Sequence, residues 1–390
     1  MSSDGKPKVL FTFVEAGLGH IIPMTGMCEA FSRKYGDKCE IIKSYVFRDS
    51  KREEVVNMGK ELYESTKRVA KSAFLNRMEA VSYYFTTEAT HFFLDAHFAD
   101  GEKAFMEDLK EIGPDLVVGS YYLPTHIACL SNEKYGTNYL TATYTPDPNF
   151  VYPAWDRRSD VFLVNDSAVY GYAKNHGFSE KQLRRIPFIY REDITNLDLN
   201  KEECAKIAGM DTDKFKILFT CGAYGAKKTN ALVSEILKSN LPIDLTVICG
   251  KNPQMEEDMR VLACDKSEQV GFNVVGFTDK IQYYMRGADL VIGKSGMNTV
   301  MESLYLGTPF LINAHANRLE EIIAEWFVSC ETAFVVKDEK EIVSVIKKCI
   351  DNPDYLKKYI DNFEKYKDST GGEKCADVLF ELLKTRYPDL

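Results

Sequence analysis

The chain has 390 residues, a length that allows two domains of ordinary size, each with its own core. Its 49 Lys and Arg residues against 58 Asp and Glu residues give a formal net charge of −9. This acidic balance argues against a general nucleic-acid binder, because such a protein needs Lys and Arg side chains to neutralise phosphates.

The first half of the chain alternates short apolar runs with helical patterns. Its first run, KVLFTFV at residues 8–14, is typical of a buried strand, and a helical pattern begins near Ile22. Further strands are predicted at Cys39–Tyr45, Asp115–Gly119, Tyr139–Tyr144 and Val161–Val164. Such alternation indicates a parallel sheet with helices on both faces.

A basic segment lies between these strands. Residues 60–78, KELYESTKRVAKSAFLNRM, carry five basic and two acidic residues, with apolar residues at roughly helical spacing. One interpretation is a helix that lies on an anionic membrane surface. The other is an amphipathic helix that covers the N-terminal sheet. The aromatic residues that follow suit either a lipid or aglycone pocket or a core: Tyr83, Tyr84, Phe85, Phe92, Phe93 and Phe98.

The strand series restarts in the second half, after a charged and weakly periodic region at residues 191–213. Strands are predicted at Lys216–Thr220, Leu245–Cys249, Asn273–Val275, Leu290–Ile292 and Phe310–Ile312. The repetition predicts two Rossmann-like sheets, one after the other. Because ligands of such sheets bind beyond the carboxyl ends of the strands, we expect the site in the cleft between the two sheets.

Two loops that follow predicted strands contain glycines. Gly17-Leu18-Gly19-His20 offers backbone N–H groups at a helix start, but Ile22 stands where a dinucleotide-binding fingerprint needs its third Gly. His20 could accept a proton from an attacking hydroxyl, or it could merely border the helix. Residues 221–228, CGAYGAKK, lack the spacing of a triphosphate-binding loop, which argues against an ATPase.

The most informative stretch is LVIGKSGMNTVMESLYLGTPFLI at residues 290–312, a strand–turn–helix–strand pattern. Ser295 to Thr299 place amides and hydroxyls at the helix start, where the helix dipole favours phosphate. Glu302 has two interpretations. With Thr299 it fits a T-x-x-E capping box, or its carboxylate accepts hydrogen bonds from a ribose diol. The second interpretation predicts a nucleoside-diphosphate site.

This stretch and the upstream Gly276-Phe277-Thr278-Asp279 resemble the donor half of two-domain GT-B glycosyltransferases of family 28. That family contains the peptidoglycan N-acetylglucosaminyltransferase and the diacylglycerol galactosyl- and glucosyltransferases. The pattern Asp147…Pro153-Ala154-Trp155 is similar to the diacylglycerol-modifying branch. The resemblance implies an α/β fold of two Rossmann-like doubly wound domains facing across a cleft.

The same resemblance implies a domain organisation. An acceptor-binding domain is expected at residues 1–195 and a nucleotide-sugar-binding domain at residues 196–369. A C-terminal helix at about residues 370–390 is expected to pack back on the first domain.

The resemblance also implies roles for matching residues. His20 is the expected general base or acceptor-orienting residue, with Gly17, Gly19 and Asp147 on the acceptor side. The expected donor-binding residues are Gly222, Phe277, Ser295, Gly296, Met297, Asn298, Thr299, Glu302 and Glu320. Among these, Phe277 is expected to pack against uracil, Glu302 to hold the ribose and Glu320 to grip the donor sugar.

Two departures from the family pattern leave the substrates open. Leu319 replaces the Gln that usually precedes the sugar-gripping carboxylate, so the donor sugar is not assigned. Tyr152 stands where glycolipid synthases tend to have His, so the acceptor is not assigned either.

No metal or other cofactor is expected. Asp211-Thr212-Asp213 has the D-x-D pattern of manganese-binding glycosyltransferases, but it precedes a strand and is predicted to be a solvated turn. Amide dipoles are expected to stabilise the diphosphate leaving group instead.

The sequence therefore predicts an inverting, metal-independent hexosyltransferase that moves a hexose from a UDP-sugar to a hydroxyl of a lipid or small-molecule acceptor. The alternatives are a natural-product glycosyltransferase using a UDP- or dTDP-sugar, a UDP-sugar 2-epimerase, and an inactive partner subunit of the same fold. Scattered cysteines and an N-terminus without a signal-peptide pattern predict a cytoplasmic protein. Residues 60–78 add the expectation of peripheral contact with the inner face of a membrane.

Overall fold

Both halves of the chain fold into a six-stranded sheet whose strands all run parallel. The computed structural model describes residues 5–15, 18–221 and 229–390. The chain divides into two compact units. Unit 1 comprises Met1–Glu192 and Asp368–Leu390, and unit 2 comprises Asp193–Lys367.

The sheet of unit 1 has the strand order β2-β1-β3-β4-β5-β6. Its strands are β1 (Lys8–Thr12), β2 (Glu40–Ser44), β3 (Leu116–Gly119), β4 (Leu140–Thr145), β5 (Val161–Val164) and β6 (Leu183–Arg185). Successive residues of a strand face opposite sides, so Leu10 packs into the core on one face and Phe11 into the core on the other. Both faces are covered, which explains why these strands are apolar throughout.

Helices connect these strands. They are α1 (Leu18–Tyr35), α2 (Val46–Asp49), α3 (Glu53–Lys71), α4 (Ala73–Ser82), α5 (Thr87–Ile112), α6 (Tyr122–Tyr135) and α7 (Ser167–Asn175), and the short α8 (Glu192–Thr195) begins at the end of the first segment of unit 1.

The sheet of unit 2 has the order β12-β11-β10-β7-β8-β9, the order of Rossmann sheets. Its strands are β7 (Phe215–Thr220), β8 (Ile243–Ile248), β9 (Gly271–Val275), β10 (Leu290–Lys294), β11 (Phe310–Ala314) and β12 (Phe334–Val335). Its helices are α9 (Lys201–Ile207), α10 (Thr229–Lys238), α11 (Pro253–Leu262), α12 (Ile281–Gly287), α13 (Met297–Tyr305), α14 (Arg318–Ser329), α15 (Glu339–Asp351) and α16 (Asp354–Phe363).

The last helix, α17 (Gly371–Lys384), belongs to unit 1 and packs against α1. The rings of Tyr35 and Phe380 stack with centroids 3.9 Å apart, and the Tyr35 hydroxyl donates a hydrogen bond to Asp377 at 2.6 Å. Gly371 lies against the backbone of the segment before α8. A Cβ atom at this position would be 2.8 Å from the carbonyl carbon of Phe188 and closer still to two carbonyl oxygens.

All ten predicted strands are present, with ends that differ by one to two residues in most cases. The prediction missed β6 and β12, which lie at sheet edges and have only three and two residues. Edge strands need not be apolar, and the two arginines of β6 are exposed. Periodicity therefore gave no signal for them.

The prediction of a single helix over residues 60–78 is wrong. The chain breaks at Ser72, whose hydroxyl caps the following helix by accepting a hydrogen bond from the Leu75 amide at 3.3 Å. Burial differs between the two helices: Leu62 of α3 is buried in the core, whereas Phe74 and Met78 of α4 are exposed.

The close approach at Gly371 generates a stability prediction. Gly371→Ala is expected to lower the free energy of unfolding by about 1–3 kcal/mol, because the added methyl group overpacks the contact between α17 and the backbone. Denaturant titration measures the effect. The matched control is Gly171→Ala on α7, where an added Cβ meets no atom within 4 Å; equal midpoints for the two variants would contradict the packing described here.

Candidate functional site

In each unit, the polar residues that the sequence singles out follow two neighbouring strands. From one of these strands the chain continues toward one edge of the sheet, and from the other it continues toward the opposite edge. In unit 2 these strands are β7 and β10, since the chain continues from β7 to β8 and from β10 to β11. In unit 1 they are β1 and β3. Loops that diverge in this way leave a crevice at the carboxyl edge of the sheet, where ligands of doubly wound folds bind.

The turn between β10 and α13 is held by internal hydrogen bonds. The Ser295 amide donates to the Ala314 carbonyl at 3.1 Å, and the Gly296 amide donates to the Lys294 carbonyl at 2.8 Å. The buried Ser295 hydroxyl donates to the Glu320 carbonyl at 2.6 Å. These groups are therefore engaged within the fold, and Ser295 positions the turn.

The next three residues begin α13. Gly296 is its N-cap and supplies no side-chain cap. The first N–H groups of a helix lack partners within the helix and form a site for anions. A Cβ atom on Gly296 would meet only the Thr299 hydroxyl, at 3.8 Å. The described residues therefore leave room for a side chain at residue 296. Glycine would be required there if a ligand came close to the amides of Met297, Asn298 and Thr299.

The capping-box interpretation of Thr299 and Glu302 is wrong. Thr299 is the third residue of α13 and Glu302 the sixth, so neither occupies the position that such a box requires. Glu302 is only 2% exposed, and Asn298, one turn earlier on the same face of the helix, is also buried. A buried carboxylate inside the second turn of a helix must serve a purpose other than capping.

Glu320 joins the same turn from α14. Its carboxylate forms an ion pair with Lys294 and accepts a hydrogen bond from the Ala316 amide at 2.7 Å. Its own amide donates to the side chain of Asn317, the N-cap of α14, at 3.0 Å. The ends of β10 and β11 and the start of α14 are thereby tied together around one carboxylate.

Phe277 follows β9, at the same edge of the sheet. Its side chain is 60% exposed, which is unusual for a large aromatic ring in a folded unit. The ammonium group of Lys251, which follows β8, lies 4.9 Å from the ring centroid. The exposed ring is available to stack on a planar ligand.

His20 lies in the first turn of α1 and is held by residues that follow β3. Its Nδ1 lies 2.7 Å from the Ser120 carbonyl, and the Ser120 hydroxyl donates to the His20 carbonyl at 2.7 Å. The imidazole also packs edge-on against Tyr121, with centroids 4.7 Å apart. Because a carbonyl only accepts, Nδ1 carries the proton and the lone pair lies on Nε2. Burial lowers the pKa of His20 to about 4, although the bond to Ser120 opposes this effect.

The remaining predicted residues are less informative. Gly17 and Gly222 lie outside the described residues. Gly19 is exposed in the first turn of α1, and a Cβ atom there would meet nothing within 4 Å. Asp147 is half-buried in the loop after β4. Asp211 and Asp213 lie in an exposed turn before β7, as predicted.

Three residues that contribute to the candidate site were not predicted from the sequence. Ser120 and Tyr121 orient His20, and Lys294 pairs with Glu320. Each lies at or just after the end of a strand where the strand order reverses, and this position is known only once the pairing of the strands is known.

Comparison with known proteins agrees with this geometry. Residues 216–370 match the model of the glycosyltransferase family 28 C-terminal domain. The matched residues make up most of unit 2. The chain is 23% identical over 388 residues to monogalactosyldiacylglycerol synthase 2, chloroplastic, of Arabidopsis thaliana, with coverage of 96% of this chain and 79% of the relative. These matches confirm the prediction of a glycosyltransferase related to the glycolipid synthases.

Solved structures confirm the GT-B fold. The chain superposes on MurG of Acinetobacter baumannii with a TM-score of 0.60 and 13% identity, covering 96% of this chain and 99% of MurG. It is equally similar to a UDP-GlcNAc 2-epimerase of Neisseria meningitidis, with a TM-score of 0.60, 12% identity and coverage of 97% and 100%. At these identities the likeness shows the fold alone and does not separate transfer from epimerisation.

The environment of His20 generates a prediction for its ionisation. NMR titration of the free protein is expected to give a midpoint near pH 4 for the His20 ring, because burial disfavours the imidazolium. The ring is then neutral throughout the physiological range and becomes charged only as pH falls through 4. His20→Gln identifies the resonance, and a midpoint near the unperturbed value of about 6.5 would contradict the geometry.

Proposed function

We propose that the protein transfers a hexose from a UDP-sugar to a hydroxyl group of a membrane lipid, with inversion at the anomeric carbon and without a metal ion. The observation that supports a UDP-sugar most strongly is the buried Glu302 behind the uncapped start of α13. Similarity to a monogalactosyldiacylglycerol synthase over 96% of the chain supports a lipid acceptor.

The donor is proposed to bind at the carboxyl edge of the sheet in unit 2. The diphosphate accepts hydrogen bonds from the amides of Met297, Asn298 and Thr299, whose helix dipole favours negative charge. Glu302 accepts both ribose hydroxyls, since a carboxylate can accept from two donors at once. The exposed ring of Phe277 stacks on the uracil, and Glu320 faces the hexose.

The chemical step is proposed to use His20 as the general base. The acceptor oxygen forms a bond to the anomeric carbon while the bond from that carbon to the β-phosphate oxygen breaks. Nε2 of His20 takes the acceptor proton, and UDP leaves with the electron pair. The donor amides stabilise the growing charge on the diphosphate, which is the role that a metal ion plays in other transferases. Because its pKa is lowered, His20 is neutral at pH 7 and its Nε2 carries no proton before the acceptor binds.

The lipid acceptor is supported by an apolar surface on α4, α5 and the turn between them. We call it the α4–α5 surface; its exposed residues are Phe74, Met78, Val81, Tyr84, Phe85, Phe92 and Phe93. The rings of Phe85 and Phe93 lie 6.2 Å apart, and those of Phe92 and Phe93 lie 5.8 Å apart. Isolated apolar residues are common on surfaces, but a cluster of this extent marks an interaction site.

The charges beside this surface favour an anionic bilayer as its partner. Lys60 and Arg68 of α3 and Arg77 of α4 are exposed. Basic side chains next to exposed aromatic residues bind anionic lipid head groups while the rings enter the interface. Among the described residues, no helix is both long enough and apolar enough to cross a bilayer.

The donor site is tested by calorimetry with UDP. Glu302→Gln keeps the shape of the side chain but removes its charge and one acceptor, so UDP affinity is expected to fall about ten- to a hundredfold, equivalent to roughly 1–3 kcal/mol. ADP and dTDP are expected to bind more weakly than UDP. Glu325→Gln, an exposed carboxylate on α14, is the matched control and should leave affinity unchanged.

A second variant tests the same site independently, in case Glu302→Gln loses UDP binding because it misfolds. Gly296→Ala adds a methyl group that meets only Thr299 within the fold, yet it should abolish UDP binding by blocking the amides. UDP binding that survives both substitutions would refute the assigned donor site. Preference for dTDP would favour the natural-product alternative, and failure to bind any nucleotide would favour the inactive-subunit alternative.

The membrane surface is tested with vesicles. The protein is expected to sediment with phosphatidylglycerol vesicles and to bind less as salt is raised, because salt screens the basic residues. Phe74→Ser combined with Phe92→Ser should weaken binding at least about tenfold, since each buried Phe contributes roughly 1.5–3 kcal/mol. Val261→Ser replaces an exposed apolar residue of unit 2 and serves as the control. Undiminished binding of the double variant would exclude the α4–α5 surface.

A further inference from the structure

Unit 1 contains a buried cluster of ionisable residues that the proposed reaction does not use. Its centre is His126 on α6. Nδ1 of His126 lies 2.7 Å from a carboxylate oxygen of Asp156, and Nε2 lies 2.8 Å from one of Asp95. Carboxylates only accept hydrogen bonds, so each ring nitrogen carries a proton in this arrangement. The imidazole is 1% exposed, which makes this a charged ring in the interior of the unit.

A third carboxylate faces the same place. Glu102 lies on α5, two turns after Asp95, and is only 3% exposed. Its Oε1 atom is buried and has no hydrogen-bond partner among the described residues. Leaving a buried carboxylate oxygen unsatisfied is costly, and such an atom calls for an explanation such as a bound ion.

We propose that Asp95, Glu102 and His126 form a binding site for a divalent transition-metal ion. One oxygen of each carboxylate and one nitrogen of His126 lie within 4.8 Å of one another. Zinc bonds to such atoms at about 2.0–2.2 Å, which in tetrahedral geometry requires separations of roughly 3.4 Å between ligand atoms. Binding therefore requires the widest of these separations to shorten by at most about 1.4 Å.

The surroundings supply the second shell that metal-bound histidines need. When Nε2 binds the ion, Nδ1–H continues to donate to Asp156, the carboxylate–histidine–metal arrangement that fixes the ring. Asp156 is itself held by Arg158, whose Nη2 donates to it at 2.6 Å. One ligand nitrogen and two ligand oxygens suit Zn²⁺ and its neighbours in the first transition series rather than soft, thiolate-seeking ions.

A second group of three possible ligands, His91, His126 and Asp156, is less suitable. It would use Nδ1 of His126, but the guanidinium of Arg158 lies 3.4 Å from that atom. A cation would be repelled there, and Arg158 would lose its partner. Among the described residues no guanidinium contacts Nε2 of His126, and the Asp95 side chain is 32% exposed, which gives an ion a route from solvent.

Binding must release a proton. The Nε2–H bond of His126 breaks as the nitrogen–metal bond forms, and the proton passes to the buffer. Calorimetric titration of the metal-stripped protein with Zn²⁺ in two buffers of different ionisation enthalpy measures this release. We expect one ion per chain, at least one proton released, and a rise in Tm on addition of Zn²⁺.

Variants assign the ligands. Glu102→Gln and, independently, Asp95→Asn should each weaken Zn²⁺ binding by more than about tenfold. Glu107→Gln, an exposed carboxylate on the same helix α5, is the matched control and should bind as the parent does. Co²⁺ in place of Zn²⁺ should give visible d–d bands without a thiolate-to-metal charge-transfer band, because no cysteine takes part.

Three results would each overturn the proposal: no binding of Zn²⁺ or Co²⁺ to the folded protein, affinity unchanged in both Glu102→Gln and Asp95→Asn, or a thiolate charge-transfer band. The outcome is independent of the donor site, since UDP binding is measured separately and its proposed residues lie in unit 2.

Discussion

The hydrogen bond from the buried Ser295 hydroxyl to the Glu320 carbonyl determines the geometry of the turn that we propose as the donor site. It joins the starts of α13 and α14, two helices that follow adjacent parallel strands. With the ion pair between Lys294 and Glu320, it fixes the first turn of α13 relative to the ends of β10 and β11. In the proposed donor site, the amide dipoles of this turn take the role that a metal ion plays in other transferases.

Two histidines of unit 1 show how position controls ionisation. Burial lowers the pKa of His20 to about 4, and the hydrogen bond from its Nδ1 to the Ser120 carbonyl fixes the tautomer but only partly opposes this effect. Burial also acts on His126, but hydrogen bonds with Asp156 and Asp95 outweigh it and raise the pKa of that ring to about 8. At neutral pH, His20 is therefore uncharged, whereas His126 is charged and lies between two carboxylates.

Much of the fold was predictable, because buried parallel strands are apolar on both faces and can be read directly from the sequence. The edge strand β6 was not, since its two arginines face solvent. The strand–turn–helix–strand unit at residues 290–312 was predictable from one contiguous stretch. The hydrogen bond of Ser295 was not, because its partner Glu320 lies on the next helix and the contact depends on how α14 packs.

The cluster around His126 illustrates the same limit. Asp95 and Glu102 lie on one helix, His126 on another and Asp156 in a loop. No short sequence motif therefore contains all four residues. The break between α3 and α4 at Ser72 was also not predictable from the sequence. Residues 60–78 have helical periodicity throughout, and only the capping contact of Ser72 divides them.

The central claim is that a hexose moves from UDP to a lipid hydroxyl, and product analysis tests it most directly. The purified protein would be incubated with UDP-glucose or UDP-galactose labelled in the sugar and with vesicles that contain diacylglycerol, and the lipid product would be examined by NMR. The expected product is a β-linked glycolipid from the α-linked donor, with one UDP released per glycosidic bond. Release of free or epimerised hexose, or formation of an α-linked glycolipid, would contradict it.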